Sequence, residues 1–376
     1  VRVLALALAL FLLAAAPAGA TKIAYRDGKR VLVVFVGNTL RRPVVPPNDG
    51  PLHWSGDGRL LSIGGTVLGW ATLPAADLSW APTGERAAYV TKRGGVVVWS
   101  PGARTVVVPD GWGAQRLAWG AHGALALGRA VCRGACGIGT HKEIWVWRAG
   151  SLTRVVGPLY GDLIPMPFGW SRGKVLWWTW PDSGSVASDG VAINAGSTTI
   201  AKALMYTDYV AACGDHLAIA AGGDRYAMDN KKILWDGRDV SHDLTHSWVS
   251  PSCTANGRLV AAASRNLVPS LIGREHRAIW QLLPSRRRLT QPPWGWTDEY
   301  PQALPDGSTL FIRTRVTTRK SGSTWIDTDR GKIELLRNGR ITELGLSTIV
   351  RTELDPWEPL NFYGHYSWAG RIAVAA

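Results

Sequence analysis

The sequence predicts an all-β chain in which one supersecondary unit recurs seven or eight times, and three observations carry that prediction. A phrase returns along the chain: an apolar residue, Trp or another aromatic, a turn centred on Gly, then a short alternating apolar run. It reads Leu52-His53-Trp54-Ser55-Gly56-Asp57-Gly58-Arg59-Leu60 early on and Tyr366-Ser367-Trp368-Ala369-Gly370-Arg371-Ile372 near the end. Between copies, runs of period two are broken by Gly, Pro and Asn/Asp turns, with almost no helical periodicity. The last segments repeat the start of the unit and the first segments repeat its end. Units of this kind, closed by one that the two ends share, make a single β-propeller of four-stranded blades.

The innermost strand of each blade is expected at an anchor: Leu52 to Ser55, Leu78 to Ala81, Leu117 to Gly120, Phe168 to Ser171, Tyr209 to Cys213, Trp248 to Pro251, Pro301 to Pro305 and Tyr366 to Ala369. The hairpins that follow use Asp57-Gly58, Thr83-Gly84, His122-Gly123, Gly173, Gly214-Asp215, Asn256-Gly257, Asp306-Gly307 and Gly370. Gly beside Asn or Asp is the chemistry of a tight turn with positive φ. Second strands are predicted at Arg59 to Ile63, Arg86 to Thr91, Ala124 to Arg129, Lys174 to Trp180, His216 to Ala221, Arg258 to Ser264 and Thr309 to Thr314. Third strands fall at Val96 to Ser100, Glu143 to Arg148, Lys231 to Asp236, Arg277 to Leu283 and Lys332 to Asn338, and fourth strands include Arg104 to Val108, Leu152 to Val156 and Arg340 to Leu344. Lys22 to Arg26 and Arg30 to Val36 read as third and fourth strands of a blade whose first and second are Tyr366 to Trp368 and Arg371 to Ala375. Shared closure leaves no open sheet edge at the seam. The unit from Leu52 to Ala76 is short enough to be a partial blade, hence seven or eight.

Residues 1–20 combine Arg2, an apolar run from Val3 to Ala16 and the small-x-small site Ala18-Gly19-Ala20. That pattern predicts a secretory signal peptide, with the propeller over residues 21–376. A membrane anchor is the rival reading, but the run is shorter than the roughly 20 residues a bilayer span needs. A Val at position 1 points to a GUG start and a bacterial gene, and so to a secreted or periplasmic, cell-envelope location with no membrane span after cleavage.

The formal charge of +14 favours anionic partners, which outside a bacterial cell means wall polymers, lipid headgroups or acidic proteins. Arg-rich codon usage explains such an excess equally well. The densest basic run, Arg286-Arg287-Arg288, is too short for a nucleic-acid tract. Four Cys in an exported chain read as two disulfides, with Cys132 paired to Cys136 and Cys213 to Cys253 favoured among three pairings. The positional reason is that Cys213 and Cys253 end the first strands of neighbouring blades. Cys132, Cys136 and His141 would be a metal site only if a second ligand pair accompanied them, and none does.

The repeats Trp54-Ser55-Gly56-Asp57-Gly58 and Trp80-Ala81-Pro82-Thr83-Gly84, with Leu304-Pro305-Asp306-Gly307 keeping the turn alone, resemble the TolB-like and WD40-like propeller repeat. The resemblance implies a toroid that binds partners and does not imply any one activity.

Most of the 20 Trp, including Trp54, Trp80, Trp119, Trp170 and Trp368, recur at equivalent positions where a large ring packs between blades. Trp294 and Trp296 sit in a Pro/Gly-flanked loop and are the candidates for exposure. No nucleophile elbow, phosphate loop, calcium loop or cofactor motif is present. Ser185, Asp189 and His216 make a triad on paper only, since nothing in their spacing brings them together. Long insertions fall between second and third strands, at Ala130 to Lys142, Pro181 to Gly190, Gly222 to Asn230, Asn266 to His276 and Val316 to Arg330. Insertions gathered at one position of a repeat mark its binding surface. The candidate binding residues there are Arg133, His141, Asp182, Asp189, Asp224, Arg225, Tyr226, Arg274 and His276, with Trp294, Trp296 and Asp298 from an inter-blade link. The leading expectation is an exported, non-catalytic propeller that binds a protein or an anionic envelope polymer. The alternative is an enzyme acting on a glycan or other small substrate, with Asp182, Asp189, Asp224 and Asp298 as acid and base.

Overall fold

The computed structural model describes residues 21–27, 30–36, 41–131, 141–160, 166–179, 191–203, 210–221, 231–243, 245–265, 277–315, 319–321, 324–326, 330–348, 368 and 370–375. It is an all-β β-propeller of eight four-stranded antiparallel blades. A single 3-10 turn, Ala121–Gly123, is the only helical element among the described residues.

The chain opens with β1 (Lys22–Asp27), β2 (Arg30–Phe35) and β3 (Arg41–Val44). The second blade is β4 (Leu52–Trp54), β5 (Leu61–Ile63), β6 (Thr66–Val67) and β7 (Ala71–Thr72), and the third is β8 (Ser79–Trp80), β9 (Ala87–Val90), β10 (Val96–Ser100) and β11 (Ala103–Val108). The fourth comprises β12 (Ala114–Trp119), β13 (Leu125–Val131), β14 (His141–Arg148) and β15 (Ser151–Tyr160). A fifth runs β16 (Met166–Ser171), β17 (Lys174–Thr179), β18 (Val191–Ala195) and β19 (Thr198–Ala203). The sixth has β20 (Val210–Cys213), β21 (His216–Ala221), β22 (Lys232–Trp235) and β23 (Arg238–Asp239), and the seventh β24 (His246–Cys253), β25 (Leu259–Arg265), β26 (Ala278–Leu283) and β27 (Arg287–Arg288). The eighth uses β28 (Trp296–Ala303), β29 (Thr309–Arg315), β32 (Arg330–Arg337) and β33 (Arg340–Thr348), after a separate hairpin of β30 (Arg319–Ser321) and β31 (Thr324–Ile326). The last strand, β34 (Ile372–Ala375), pairs with β1, so the first blade has the order β3-β2-β1-β34.

That closure has β34, β1 and β2 in the order the sequence predicts and adds a strand that the sequence reading left out. One described strand comes from the C-terminal end and three from the N-terminal end, because β3 adds to β2 through Val31 opposite Val44. The expected strand from Tyr366 to Trp368 lies outside the described residues except for Trp368. The short unit from Leu52 to Ala76 is a full blade whose strands are two or three residues long. Two- and three-residue strands carry too few alternations to be seen as strands. Every hairpin Gly named from the sequence, from Gly58 to Gly370, has φ between +61° and +86°. A Cβ at that φ costs energy, which is why Gly recurs there.

Two compact units divide the chain, Val1–Trp178 with Ala369–Ala376 and Thr179–Trp368. In the first unit, tryptophans fasten each blade to the one before it. Trp54 Nε1 donates to Ala373 O at 3.2 Å, Trp80 Nε1 to Ser62 Oγ at 2.9 Å, Trp119 Nε1 to Ser79 O at 2.8 Å and Trp170 Nε1 to Ala118 O at 3.0 Å. Space for the last ring is made at Gly120, where a Cβ would stand 2.5 Å from Trp170. The layers between blades are apolar, as in Val96, Val98 and Val108 packed with Trp119, Leu125 and Leu127.

The second unit holds one continuous core of Ala218, Ile233, Trp248, Val249, Val260, Ala262, Ile279 and Phe311. A covalent link joins its first strands: Cys213 at the end of β20 and Cys253 at the end of β24 form a disulfide with Cα atoms 5.8 Å apart. This is the pairing the sequence favoured, and Cys132 and Cys136 lie outside the described residues. Ala303 N donates to Ser252 Oγ at 3.0 Å, carrying the connection on to β28. Because the disulfide spans 40 residues of sequence, its loss frees a long loop in the unfolded chain. Replacing both cysteines by Ala is expected to cost about 2–4 kcal/mol, read as a lower denaturant midpoint than the oxidised parent at unchanged slope.

Candidate functional site

The richest cluster of polar groups in the first unit lies where β13 and β14 border the insertion at residues 132–140. Arg129 of β13 stands directly opposite Glu143 of β14, and period two puts Glu143 and Trp145 on one face of the sheet. Arg154 of β15 lies opposite Trp145 on the same face. Glu143 is enclosed, its side chain 4% exposed, and it accepts hydrogen bonds from Trp145 Nε1 at 2.7 Å, Arg154 Nη1 at 3.0 Å and Arg129 Nη1 at 3.3 Å. His141 Nε2 stands 3.7 Å from the same carboxylate.

Two indoles brace the guanidinium groups. Arg129 lies 4.6 Å from the Trp112 ring centre and donates through Nε to Trp112 O at 2.8 Å, while Arg154 stands 6.0 Å from Trp145. Trp112 and Trp145 meet edge to face at 6.2 Å. Burial alone would raise the Glu143 carboxyl, but the hydrogen bonds from Trp145 and Arg154 and the charges of both arginines outweigh it. The group is held below the usual carboxylate range. Two guanidinium groups on one carboxylate leave net positive charge at the mouth, where the Arg154 side chain is 46% and that of Arg129 24% exposed.

A related cluster in the second unit is closed upon itself. Arg286 lies 5.3 Å from the Trp248 ring and 5.5 Å from the Trp280 ring, and its Nη2 donates to Asp243 Oδ2 at 2.5 Å. His246 Nδ1 shares that oxygen at 2.6 Å and packs against both indoles. Burial pushes Asp243 up, yet hydrogen bonds from Thr245, Arg286 and His246 overcome it and hold the carboxyl far below its ordinary value. In the eighth blade, Asp298 is fully buried and takes a two-pronged bond from Arg313, Nε at 2.7 Å and Nη2 at 2.9 Å. There burial dominates and the Asp298 carboxyl is raised despite Arg313 and Thr290.

These placements separate the sequence candidates. His141 belongs to the Glu143 cluster. Trp294 is 90% exposed at the apex of a turn closed by Trp296 N donating to Pro293 O at 3.0 Å, with Gly295 at φ +74°. Trp296 is half-buried in β28, its ring 5.7 Å from Lys332 Nζ. Asp298 is no surface group, and neither Trp296 nor Asp298 is in a loop. The first strand of the eighth blade starts at Trp296, five residues before the predicted anchor, because Pro292, Pro293 and Gly295 mask its start. Both oxygens of Asp298 are engaged by Arg313 and its side chain is closed to solvent. Arg133, Asp182, Asp189, Asp224, Arg225, Tyr226, Arg274 and His276 lie outside the described residues. Among the described residues no group of three or more His, Cys, Asp or Glu is arranged to hold a metal ion. Glu143, Arg129, Arg154 and the Arg286 cage escaped sequence reasoning. Glu143-x-Trp145 at strand spacing was the available signal for the first, and the Arg286 run for the second.

No family model matches this chain, and no curated protein does. Solved structures match it as a fold. A prolyl endopeptidase structure is 15% identical, with a TM-score of 0.48, covering 91% of this chain and 51% of that one. Acylaminoacyl peptidase from Pyrococcus horikoshii is 11% identical, TM-score 0.42, covering 87% and 52%. The β-propeller domain of the Trilobed protease from Pyrococcus furiosus is 8% identical, TM-score 0.41, covering 88% and 97%. The chain thus spans about half the length of the two peptidases and nearly all of the isolated propeller domain.

A carboxylate with a lowered folded pKa stabilises above its unfolded value of about 4.3 and loses that contribution as pH falls. Glu143→Gln should therefore be less stable than the parent at pH 7 and lose less stability between pH 5 and pH 3, read from denaturant midpoints across that range. Asp298→Ala leaves Arg313 enclosed without its partner and should cost about 3–5 kcal/mol in the same measurement.

Proposed function

We propose that this protein is an exported, non-catalytic β-propeller that holds an anionic cell-envelope polymer along the edge of its sixth to eighth blades where second strands turn into third strands. One observation carries the reading. In the sixth to eighth blades, within the second unit, the longest connection of each blade falls there, between β21 and β22, β25 and β26, and β29 and β32. The strand ends that border these insertions bear the exposed cations Lys232, Arg265 and Arg315.

Charge of one sign repeated along such an edge concentrates a polyanion and leaves its detailed sequence unread. The excess of 42 Lys and Arg over 28 Asp and Glu supports the same partner class. Export rests on the signal-like residues 1–20, and the Trp54-Ser55-Gly56-Asp57-Gly58 turn with its partial copies supports a place among TolB-like propellers. No helix among the described residues is long and apolar enough to cross a membrane.

The test is retention of the mature chain on a bacterial cell-envelope fraction and on a polyanion matrix, at rising salt. Binding should weaken steeply between about 0.05 and 0.3 M salt, as screening between exposed charges requires. The triple variant Lys232→Glu, Arg265→Glu, Arg315→Glu should lose about tenfold or more in affinity while melting as the parent does. Salt-independent retention, or a triple variant that binds equally well, would overturn the reading.

A further inference from the structure

The structure assigns to the Glu143 cluster a binding site for a single oxyanion, the phosphate or carboxylate group that an anionic polymer presents repeatedly. This rests on the proposed function for its biological ligand but stands on its own geometry. Glu143 is spent on orientation: its oxygens accept from Arg129, Arg154 and Trp145, and it has no exposed face left for a ligand cation. A carboxylate buried in this way is costly unless paired, and here it fixes two guanidinium groups beside each other.

The arginines retain donors. Arg154 gives one N–H group to Glu143 and Arg129 gives two away, to Glu143 and to Trp112 O. Each guanidinium carries five N–H donors in a rigid fork suited to phosphate and carboxylate oxygens. The indoles of Trp112 and Trp145 lie against those forks, so the donors are held before a ligand arrives and less entropy is lost on binding.

The surroundings agree in sign. The turn at Thr91 to Gly95 is tied to the segment carrying Trp112, since Gly111 N donates to Arg93 O at 2.8 Å and Ala114 N to Gly94 O at 2.9 Å. Exposed Lys92 and Arg93 thus flank the mouth, against one exposed carboxylate, Asp110, that accepts from Thr91 Oγ1 at 2.5 Å. Nothing comparable is left over in the Asp243 or Asp298 clusters, where carboxylate and guanidinium match one for one.

The deciding experiment uses Glu143→Gln, which raises the net positive charge yet releases both arginines. If the site is a positioned fork, Glu143→Gln weakens binding of inorganic phosphate and of short polyphosphate. If the cluster acts only as diffuse positive charge, the same variant tightens it. Calorimetric titration of the mature chain should show Arg154→Ala and Glu143→Gln each about tenfold weaker than the parent, with Arg154→Lys also weaker because it keeps charge without the fork. A parallel series with acetate and poly-L-glutamate separates a phosphate from a carboxylate preference, and tenfold weakening in either series supports the site. Unchanged or tighter binding by Glu143→Gln, measured below its own melting transition where it is folded, overturns it. Retention on the envelope matrix is scored separately with the Lys232, Arg265 and Arg315 variant. Undiminished retention of that variant, with phosphate binding weakened in Glu143→Gln, sinks the polymer reading alone, and reduced retention with phosphate binding unchanged in Glu143→Gln sinks the oxyanion site alone.

Discussion

Blades whose strands are as short as those of the second blade have little internal sheet to hold them, so the contact from each blade to the previous one bears the structure. In the first unit that contact is an indole. Trp54, Trp80, Trp119 and Trp170 each bury a large ring between sheets and send Nε1 to an acceptor on the preceding blade. Area and direction come from one side chain, since the ring supplies apolar burial and the N–H fixes its orientation. Phe in its place keeps part of the first and loses the second. The close approach this needs explains why Gly120 tolerates no Cβ beside Trp170, and in the other unit a Cβ at Gly331 would likewise stand 2.5 Å from Trp368.

The second unit solves the problem with different chemistry. Trp248 is wholly buried, but its Nε1 has no hydrogen-bond partner, and the same holds for Trp368. Their rings contribute packing without the directional bond. Between β20 and β24 the disulfide supplies direction covalently, and between β24 and β28 the Ser252 hydroxyl does so through Ala303 N. Arg258 extends the link, donating to Ser308 O at 2.7 Å and to Thr309 Oγ1 at 2.5 Å. A repeat protein needs a neighbour interaction at each step, and several side chains can meet that need.

This division explains what the sequence displayed and what it concealed. The hairpins were visible because their chemistry is local: Ser55 donates to Asp57, Thr254 to Asn256 and Ser308 to Asp306, each two residues apart and followed or bridged by a Gly at positive φ. Strands β10 and β21 match their predicted limits because alternation and turn residues agree on both sides. Strands β18 and β19 went unseen, since Asn194, Gly196 and Ser197 dilute their pattern. In the closing blade β34, β1 and β2 fall where the sequence placed its second, third and fourth strands, whereas β3 went unseen because it contains Pro43 and reads as a loop until β2 pairs with it. The candidate site was hidden for a different reason. Arg129, Glu143 and Arg154 are 14 and 11 residues apart along the chain. They meet only through the register of three adjacent strands. Their residue types are ordinary, and their value as a group comes from a ladder that spacing alone does not define.

The three clusters of arginine, carboxylate and aromatic groups show how one device takes on different roles by stoichiometry and burial. Asp298 with Arg313 is sealed, its burial outweighing even a two-pronged ion pair and raising the carboxyl. Such a pair gains specificity of register more than net stability. Asp243 with Arg286 is better supplied with donors, and its carboxyl falls, but the guanidinium already fills the space between Trp248 and Trp280. At Glu143 a second arginine joins a single buried carboxylate, and the insertion edge keeps both partly open to solvent. The first arginine balances the charge that burial would otherwise penalise. The second is surplus to that balance, and a surplus guanidinium held rigidly at an open edge has an anion as its complementary partner.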